Sequence, residues 1–473
     1  MKTKNLFVLP LIAISLSTLT ACLKGRKDDP NALNVICLNL GYGREWIDEA
    51  VKIWEEKNPG YKVNLDATGD ARAVIAGNIA KKANDDVYIS VGSDWKSYAG
   101  QGKLLAIDEL LEDTVDGVKV KEKINDEYKN SIYFKNRDGE SHVYRLPWTA
   151  GLGGIMYNAK MFRDHNWSVP TTVEELLTLC NKIVTDKVSI DPTDPTSGTV
   201  YPFSYTGANT DYFDYTVFSW WSQIVGVDAI NSFKSYTKND KTNFDAKNNT
   251  TYAGLKRATQ AWWDIFGNAK FADPEDISRD NDTAQKNFMG GKAAMMFDGD
   301  WVYNEMLKYT SAHKLDESKF ELAIMNTPKI SSEMKNNGYI IGEDQYIAVP
   351  ATTKKADLAK SFIKTLISDE VLNIFFNKAH GMMAYKLSTG SYTTTDKYMT
   401  SVMNYRSSLE GSFTSFSSSP LYLNGFVDFW GASSGRPFLQ LLQKTTKDVD
   451  EAFDKIYDNV NRQWDTWVKN SNM

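Results

Sequence analysis

Residues 287–301 read NFMGGKAAMMFDGDW, and this stretch decides the fold. Apolar residues on both sides of a Gly-Gly pair predict a helix end, a turn and a short buried strand. The predicted strand is followed by DGD (298–300). Asp300 is placed to cap the N-terminus of a following helix, and Trp301 lies at the start of that helix. A ring at such a strand-to-helix turn lies where α/β proteins bind ligands. The alternative is that Trp301 is an ordinary core residue.

Upstream of this stretch, the chain alternates predicted strands with predicted helices. The strands cover 35–40, 61–65 and 87–91, and the helices cover 45–57 and 71–82. This βαβαβ order predicts an α/β fold with a parallel sheet covered by helices on both faces. The loops GYGREW (41–46) and GSDW (92–95) each place an aromatic ring beside hydrogen-bonding groups. GYG also suggests a dinucleotide fold, but the third glycine is missing and the following REW would crowd a pyrophosphate.

The composition is that of a soluble globular protein with two or three lobes. Its 473 residues exceed one typical domain. Asp and Glu (60) outnumber Lys and Arg (54), giving a net charge of −6, and no basic stripe is present, so we expect no nucleic-acid partner. The 13 tryptophans, 24 tyrosines and 22 phenylalanines are numerous enough for some rings to serve a ligand.

The N-terminus is predicted to be an export signal over residues 1–21. Two lysines precede an apolar run, and Leu19-Thr20-Ala21-Cys22 resembles the bacterial lipoprotein lipobox, in which the cysteine is lipid-modified and becomes the first mature residue. The alternative is an ordinary secretory signal with an incidental cysteine. Residues 22–32 are then a lipidated tether, and the protein is expected to be extracytoplasmic and lipid-anchored to the cell membrane. We expect Cys37 and Cys180 to be buried free thiols, although a disulfide is the alternative.

Three regions of the chain resemble one family. LPWTAGLGGIMYNAKMF (146–162) with NWSVPTTVEELLTLCNKI (166–183), the opening FMGGKAAMMFDGDW (288–301) and VPATTKKADLAKSFIKTLISDE (349–370) occur in the family's order. Together with the lipobox, they resemble the family-1 extracellular solute-binding proteins of ABC importers, the carbohydrate-binding relatives of maltose-binding protein.

The resemblance implies a two-lobe periplasmic-binding-protein-like fold of type II, with two α/β sheets joined by a hinge of several chain crossings. On that template, lobe 1 covers 33–146 plus 337–385, and lobe 2 covers 147–336 plus 386–473. Residues 147–150 are one expected crossing. The strand-like residues 338–350 and the amphipathic residues 354–368 are expected to extend the first sheet.

The resemblance also implies a function, namely a monomeric substrate-binding lipoprotein that closes on a sugar or oligosaccharide and delivers it to the transmembrane subunits of an ABC permease. We expect no enzyme, cofactor or metal, because the four histidines are scattered, no hydrolase motif is present and the Asp-rich segments lack calcium-loop spacing. Two alternatives stay open. A lipid-anchored glycosidase would use paired carboxylates, and an adhesion lipoprotein would bind no small molecule.

A sugar site needs flat rings for the C–H face of a pyranose and polar groups for its hydroxyl rim. The predicted stacking residues are Trp301, Trp148, Trp95 and Trp46. The predicted rim contacts are Asp94, Arg44, Asp300 and Asp344, and Tyr42 and Trp430 complete the set.

Overall fold

The structure is a computed structural model, and it describes residues 29–135, 139–194, 196–308, 320–341, 345–415, 417, 419–426, 429 and 437–470. The predicted signal peptide and the lipidation site Cys22 lie outside the described residues, as do the predicted site residues Asp344 and Trp430. Within the described ranges, no helix is both long enough and apolar enough to cross a membrane.

The strands follow in chain order. They are β1 (Ala32–Leu38), β2 (Lys62–Thr68), β3 (Val87–Ser90), β4 (Thr114–Val115), β5 (Val118–Lys119), β6 (Tyr133–Lys135), β7 (Ser141–Val143), β8 (Leu146–Pro147), β9 (Gly151–Asn158), β10 (Tyr201–Ser204), β11 (Ala293–Gly299), β12 (Leu322–Met325), β13 (Asn337–Ile341), β14 (Tyr346–Ala348) and β15 (Gly411–Phe413).

The α-helices are α1 (Glu45–Lys57), α2 (Ala71–Lys81), α3 (Asp94–Gly100), α4 (Val120–Lys123), α5 (Ala159–Asp164), α6 (Val173–Asp186), α7 (Asp214–Val225), α8 (Val227–Lys234), α9 (Thr250–Phe266), α10 (Asn281–Met289), α11 (Val302–Lys308), α12 (Ala356–Leu366), α13 (Asp369–Lys378), α14 (Lys397–Ser408), α15 (Pro420–Gly425), α16 (Pro437–Leu442) and α17 (Val449–Asn470). Short 3-10 helices lie at Asp108–Leu111, Asp126–Tyr128, Thr210–Phe213, Lys241–Phe244 and Pro274–Ser278.

The first sheet has the strand order β2-β1-β3-β14-β8. Strands β1, β2 and β3 are parallel to one another, which confirms the predicted βαβαβ start. Every residue of β1 is buried, as expected for a parallel strand covered on both faces. Strand β14 runs antiparallel to both β3 and β8. We call the body around this sheet the first lobe.

The second sheet has the order β10-β11-β9-β13-β15, and β12 also pairs with β9. The opening stretch builds its centre as predicted: α10 ends at Met289, Gly291 turns the chain with φ at +74°, and β11 follows with all residues buried. Strand β11 pairs antiparallel with β9, and α7 packs across β13, β9 and β11. We call the body around this sheet the second lobe.

The chain first crosses between the sheets at residues 148–150, between β8 and β9, where a crossing was expected. A later segment lies beside this crossing. The Ala150 backbone N–H donates to the Met382 carbonyl at 2.9 Å, and the Ala384 N–H donates to the Trp148 carbonyl at 3.1 Å. The hinge therefore contains two neighbouring stretches of backbone joined by hydrogen bonds.

The expectation that residues 338–350 all extend the first sheet is wrong for β13. This strand pairs with β9 and β15 in the second sheet, and only β14 joins the first. We therefore propose that the chain crosses from the second sheet to the first between β13 and β14, after residue 341 and before residue 346, and not at 337. We propose that the other lobe boundaries lie where the family resemblance implies them.

Two clusters of buried side chains form the hydrophobic core. The first core surrounds the first sheet and extends across one face of the second sheet, where it includes Met156, Met296 and Ile324, and the second core covers the opposite face of the second sheet. The second core is rich in aromatic rings and takes up Trp220, Trp221 and Trp262. Cys37 is buried in the first core and Cys180 in the second, and both are free thiols, as predicted. Burial raises the pKa of both thiols well above the ordinary value.

Candidate functional site

A cleft of about 970 Å³ lies between the two lobes. Its first-lobe wall is built from the loops that follow β1, β2 and β3, so it lies at the carboxyl ends of parallel strands, where open α/β sheets bind ligands. Its second-lobe wall comes from the segment before and within α7, from β13 and from the turn between β11 and α11. Trp148 and Gln345, at the crossings, form part of its lining.

The first-lobe wall presents a basic residue that the sequence did not single out. The Arg72 guanidinium lines the cleft and contacts Oδ2 of Asp94 at 2.7 and 2.9 Å. It lies against Gly92, where a β-carbon would be only 2.8 Å from Arg72 Nε, and the φ of +109° at Gly92 also favours glycine. Asp94 is therefore placed behind Arg72 and does not itself line the cleft.

The second-lobe wall is an aromatic surface formed by Trp301, Tyr212 and Tyr215, which are all half-buried. The Trp301 and Tyr215 rings are 6.0 Å apart and nearly perpendicular, at 88°. Burial raises the pKa of Tyr212 well above its ordinary value, and the neighbouring Trp301 side chain opposes this shift. Sequence reasoning found Trp301 but missed both tyrosines, although the acids interleaved with rings in TDYFDY (210–215) were an available signal.

The other predicted tryptophans are more deeply buried. Trp148 and Trp95 reach the cleft lining but are only 1 % exposed. Trp46 is fully buried and does not line the cleft, because it stacks behind Trp148 with centroids 5.7 Å apart. The Arg145 guanidinium lies 4.8 Å from the Trp95 ring and occupies one of its faces. Trp301 thus has the most accessible of the four predicted rings.

Asp300 does not serve as a rim contact. It is fully buried, Oδ1 accepts a hydrogen bond from the Tyr42 hydroxyl at 2.8 Å, and Oδ2 accepts one from the Leu152 N–H at 3.2 Å. Helix α11 begins at Val302, so Trp301 occupies the cap position expected for Asp300. Because Tyr42 belongs to the first lobe and Leu152 to the second, the carboxyl group of Asp300 joins the two lobes beside the cleft.

The environment of Asp300 also changes its acidity. Burial raises the pKa of Asp300 to about 7, against the hydrogen bonds from Tyr42 and Leu152, which lower it. The buried Tyr42 ring is part of the cleft lining, and its hydroxyl donates to Asp300. Arg44 lies away from the cleft lining, is exposed and pairs with Asp48 at 2.8 Å.

A second acidic group lies next to the aromatic wall. The Gln285 amide donates to Asp298 Oδ2 at 2.9 Å and to Glu305 Oε2 at 2.8 Å. Burial, together with the nearby Glu305 charge, raises the pKa of Asp298 well above its usual range. Glu305 lines the cleft with Asp211 and Asp214, so the second-lobe wall is acidic. Among the described residues, no group of three or more His, Cys, Asp or Glu side chains is arranged to hold a metal ion.

Two α/β lobes, a paired hinge and a cleft at the carboxyl ends of parallel strands define the two-lobe solute-binding fold. The chain belongs to the bacterial extracellular solute-binding proteins, whose family model matches residues 41–372. This confirms the family resemblance that the sequence blocks indicate.

Individual relatives are distant in sequence. The multiple sugar-binding protein of Streptococcus mutans is 21 % identical over 407 residues, which are 81 % of this chain and 83 % of the relative. The solved complex of RafE, a protein of Streptococcus pneumoniae, with raffinose has a TM-score of 0.63 at 15 % identity and covers 90 % of this chain and 98 % of that one. A structure from work on xylan utilization by Caldanaerobius polysaccharolyticus has a TM-score of 0.64 at 20 % identity, covering 91 % and 100 %.

Proposed function

We propose that this protein is the substrate-binding lipoprotein of an ABC importer, and that it captures a sugar or oligosaccharide in the cleft and delivers it to the permease. The observation that carries this proposal is the aromatic wall of Trp301, Tyr212 and Tyr215 facing polar loops of the opposite lobe. Such a pairing of rings with hydrogen-bonding groups fits the two kinds of surface on a pyranose.

The free energy needed for micromolar binding favours a ligand that both lobes contact. Covering on the order of 100 Å² of apolar surface at a stacked ring contributes about 2.5 kcal/mol, and each net hydrogen bond adds about 1 kcal/mol. Micromolar binding needs roughly 8 kcal/mol after the ordering costs. One ring and one lobe do not supply this, so closure about the hinge is part of the proposed binding step.

The comparisons support a carbohydrate ligand. The family is extracellular and solute-binding, the Streptococcus mutans relative is described as a multiple sugar-binding protein, and RafE has been solved with raffinose. A cleft of about 970 Å³ lies at the upper end of the range for small-molecule sites, which favours an oligosaccharide over a single sugar.

A thermal-shift screen of mono- and oligosaccharides followed by calorimetry tests the proposal. Trp301→Ala is expected to weaken binding of the best sugar at least tenfold, because it removes the accessible ring. Trp263→Ala is the matched control, since Trp263 is also half-buried but packs against the second core away from the cleft lining. Unchanged affinity in Trp301→Ala would remove this ring from the site.

The same preparation tests the two alternatives. Hydrolysis of an oligosaccharide that is lost in Glu305→Gln would favour a glycosidase, since Glu305 is a carboxylate in the cleft lining. An adhesion lipoprotein would show no stabilisation by any sugar in the screen. We propose a non-enzymatic, monomeric receptor, for which stabilisation occurs without turnover.

We also propose that Cys22 carries the lipid anchor and that residues 22–32 tether the lobes outside the cytoplasmic membrane. The lipobox-like Leu19-Thr20-Ala21-Cys22 at the end of an export signal supports this. The full-length chain is expected in the membrane fraction, and Cys22→Ala is expected to shift it to the soluble fraction. Membrane association that survives Cys22→Ala would contradict the anchor.

A further inference from the structure

Two glycines face each other directly in the centre of the second sheet. Gly153 of β9 and Gly299 of β11 are partners in the antiparallel ladder. Because directly opposed residues in such a ladder point to the same face, any side chains at these two positions would project side by side. Ile341 of β13 is opposite Gly151 of β9, and so points to this same face, where it lines the cleft.

Each glycine lies directly beneath one ring of the aromatic wall. A β-carbon at Gly299 would be 2.3 Å from Cη2 and Cζ3 of Trp301, and a β-carbon at Gly153 would be 2.3 Å from Cγ of Tyr215. Carbon atoms that are not bonded to each other normally stay about 3.5–4.0 Å apart. The rings therefore occupy the space that side chains would take at these two positions.

The next glycine along β9 shows that this close fit is local. A β-carbon at Gly154 would lie 3.5 Å from Cε1 of Tyr405, which is an ordinary contact. Gly154 points to the opposite face of the strand, because successive residues of a strand alternate in direction. In the sequence GLGG (151–154), the aromatic wall thus requires a glycine at position 153, whereas it does not require one at the neighbouring position 154.

We propose that the Gly153–Gly299 pair is a positioning element of the binding site. By omitting two side chains, the sheet lets the Trp301 and Tyr215 rings lie against its backbone, and this sets the depth and tilt of the ligand-binding surface. The glycines themselves touch no ligand. As a statement about a sugar site, this inference rests on the proposed function, whereas the seating of the rings is a property of the ligand-free protein.

The two glycines differ in what a substitution would displace. At Gly299 the nearest atoms belong to the outer ring of the Trp301 indole, which can swing toward the cleft. At Gly153 they include Cβ and Cγ of Tyr215, so the backbone of α7 itself must move. Gly299→Ala is therefore expected to alter the site while preserving the fold, and Gly153→Ala is expected to lower the stability of the second lobe as well.

A double-mutant cycle with Gly299→Ala and Trp301→Ala tests the proposal in the full chain. Binding of raffinose and of xylotriose is measured by calorimetry. Gly299→Ala is expected to weaken binding at least fivefold, the double variant is expected to match Trp301→Ala within twofold, and Gly154→Ala is expected to match the unmodified protein within twofold. Unchanged binding in Gly299→Ala, or a loss that adds fully to that of Trp301→Ala, would overturn the proposal.

A ligand-free arm separates this inference from the proposed function. Gly299→Ala is expected to lower the urea midpoint of the unmodified protein but to leave the midpoint of Trp301→Ala unchanged, because deleting the ring removes the clash. If neither sugar binds the unmodified protein, the calorimetry counts against the proposed function. The urea unfolding of the variants then still tests whether Gly299 makes room for the Trp301 ring. If Gly299→Ala lowers the urea midpoint equally in the unmodified protein and in Trp301→Ala, the inference that Gly299 makes room for the Trp301 ring is overturned.

Discussion

Replacing Tyr42 with phenylalanine deletes one hydroxyl and one hydrogen bond between the lobes, the 2.8 Å contact from Tyr42 to Oδ1 of Asp300. The ring and its packing stay in place, so the substitution isolates the polar contact. The acceptor is a fully buried carboxyl group whose pKa is raised by burial to about 7. The strength of the deleted bond should therefore depend on pH.

The expected loss follows from the charge on Asp300. Above pH 7 the acceptor is mainly ionised, and a hydrogen bond to a charged group contributes about 1.5–3 kcal/mol, so we expect a loss of about 2 kcal/mol at pH 8. At pH 5 the acceptor is mainly neutral, and the loss should fall to about 1 kcal/mol, typical of a bond between neutral groups.

Urea unfolding of the ligand-free protein at pH 5 and pH 8 measures both values. Tyr385→Phe is the matched control, because Tyr385 is also buried and its hydroxyl donates to the uncharged Pro147 carbonyl at 2.8 Å. Its loss should be about 1 kcal/mol at both pH values. Equal losses for Tyr42→Phe at pH 5 and pH 8, or a larger loss at pH 5, would refute the charge-dependent contact.

Three other predictions concern charge. The folded pKa of Asp300 exceeds the usual unfolded value, so the contribution of Asp300 to stability is complete below about pH 4. This contribution is lost as the pH rises to about 7, by up to about 4 kcal/mol. Asp300→Asn should flatten this part of the pH profile of urea unfolding. The Lys123 side chain is fully buried, with its Nζ 2.5 Å from Asp369 Oδ1, so Lys123→Met should cost about 3 kcal/mol of stability. Burial alone would raise the pKa of Asp369, but Lys123 lowers it, so this loss should shrink as the pH falls below about 4. The control Lys119→Met, at an exposed ion pair, should leave the urea midpoint nearly unchanged. Finally, because Asp211, Asp214 and Glu305 line the second-lobe wall, an oligosaccharide with one uronic acid should bind at least tenfold more weakly than its neutral parent in low-salt calorimetry, and equal affinity would contradict the acidic character of this wall.

The parts of the fold that depend on local pattern could be predicted from the sequence. The Gly-Gly turn and the apolar run before DGDW gave α10, β11 and the position of Trp301. The alternation of strands and helices gave the parallel part of the first sheet. In each case, the periodicity of buried residues and the turn chemistry favour the same structure.

The direction of individual side chains around the cleft could not be predicted in this way. Asp300 and Trp301 are neighbours, yet one is buried between the lobes and the other lines the cleft, because Tyr42 and Leu152 come from distant parts of the chain. Tyr215 was missed because its aromatic helix reads as core, whereas its half-buried ring lines the cleft and lies against Gly153, which is distant in sequence. Strand β13 was assigned to the first sheet because nothing local distinguishes it from β14.

The backbone bonds between residues 148–150 and 382–384 limit how the two lobes can move. A single unpaired connection would let the lobes bend and slide in several directions, whereas two antiparallel stretches of backbone, hydrogen-bonded at Ala150–Met382 and Trp148–Ala384, resist sliding past each other. Opening and closing of the two lobes should thus follow one rotational path, and the ligand-free protein should sample a narrow range of angles between its lobes.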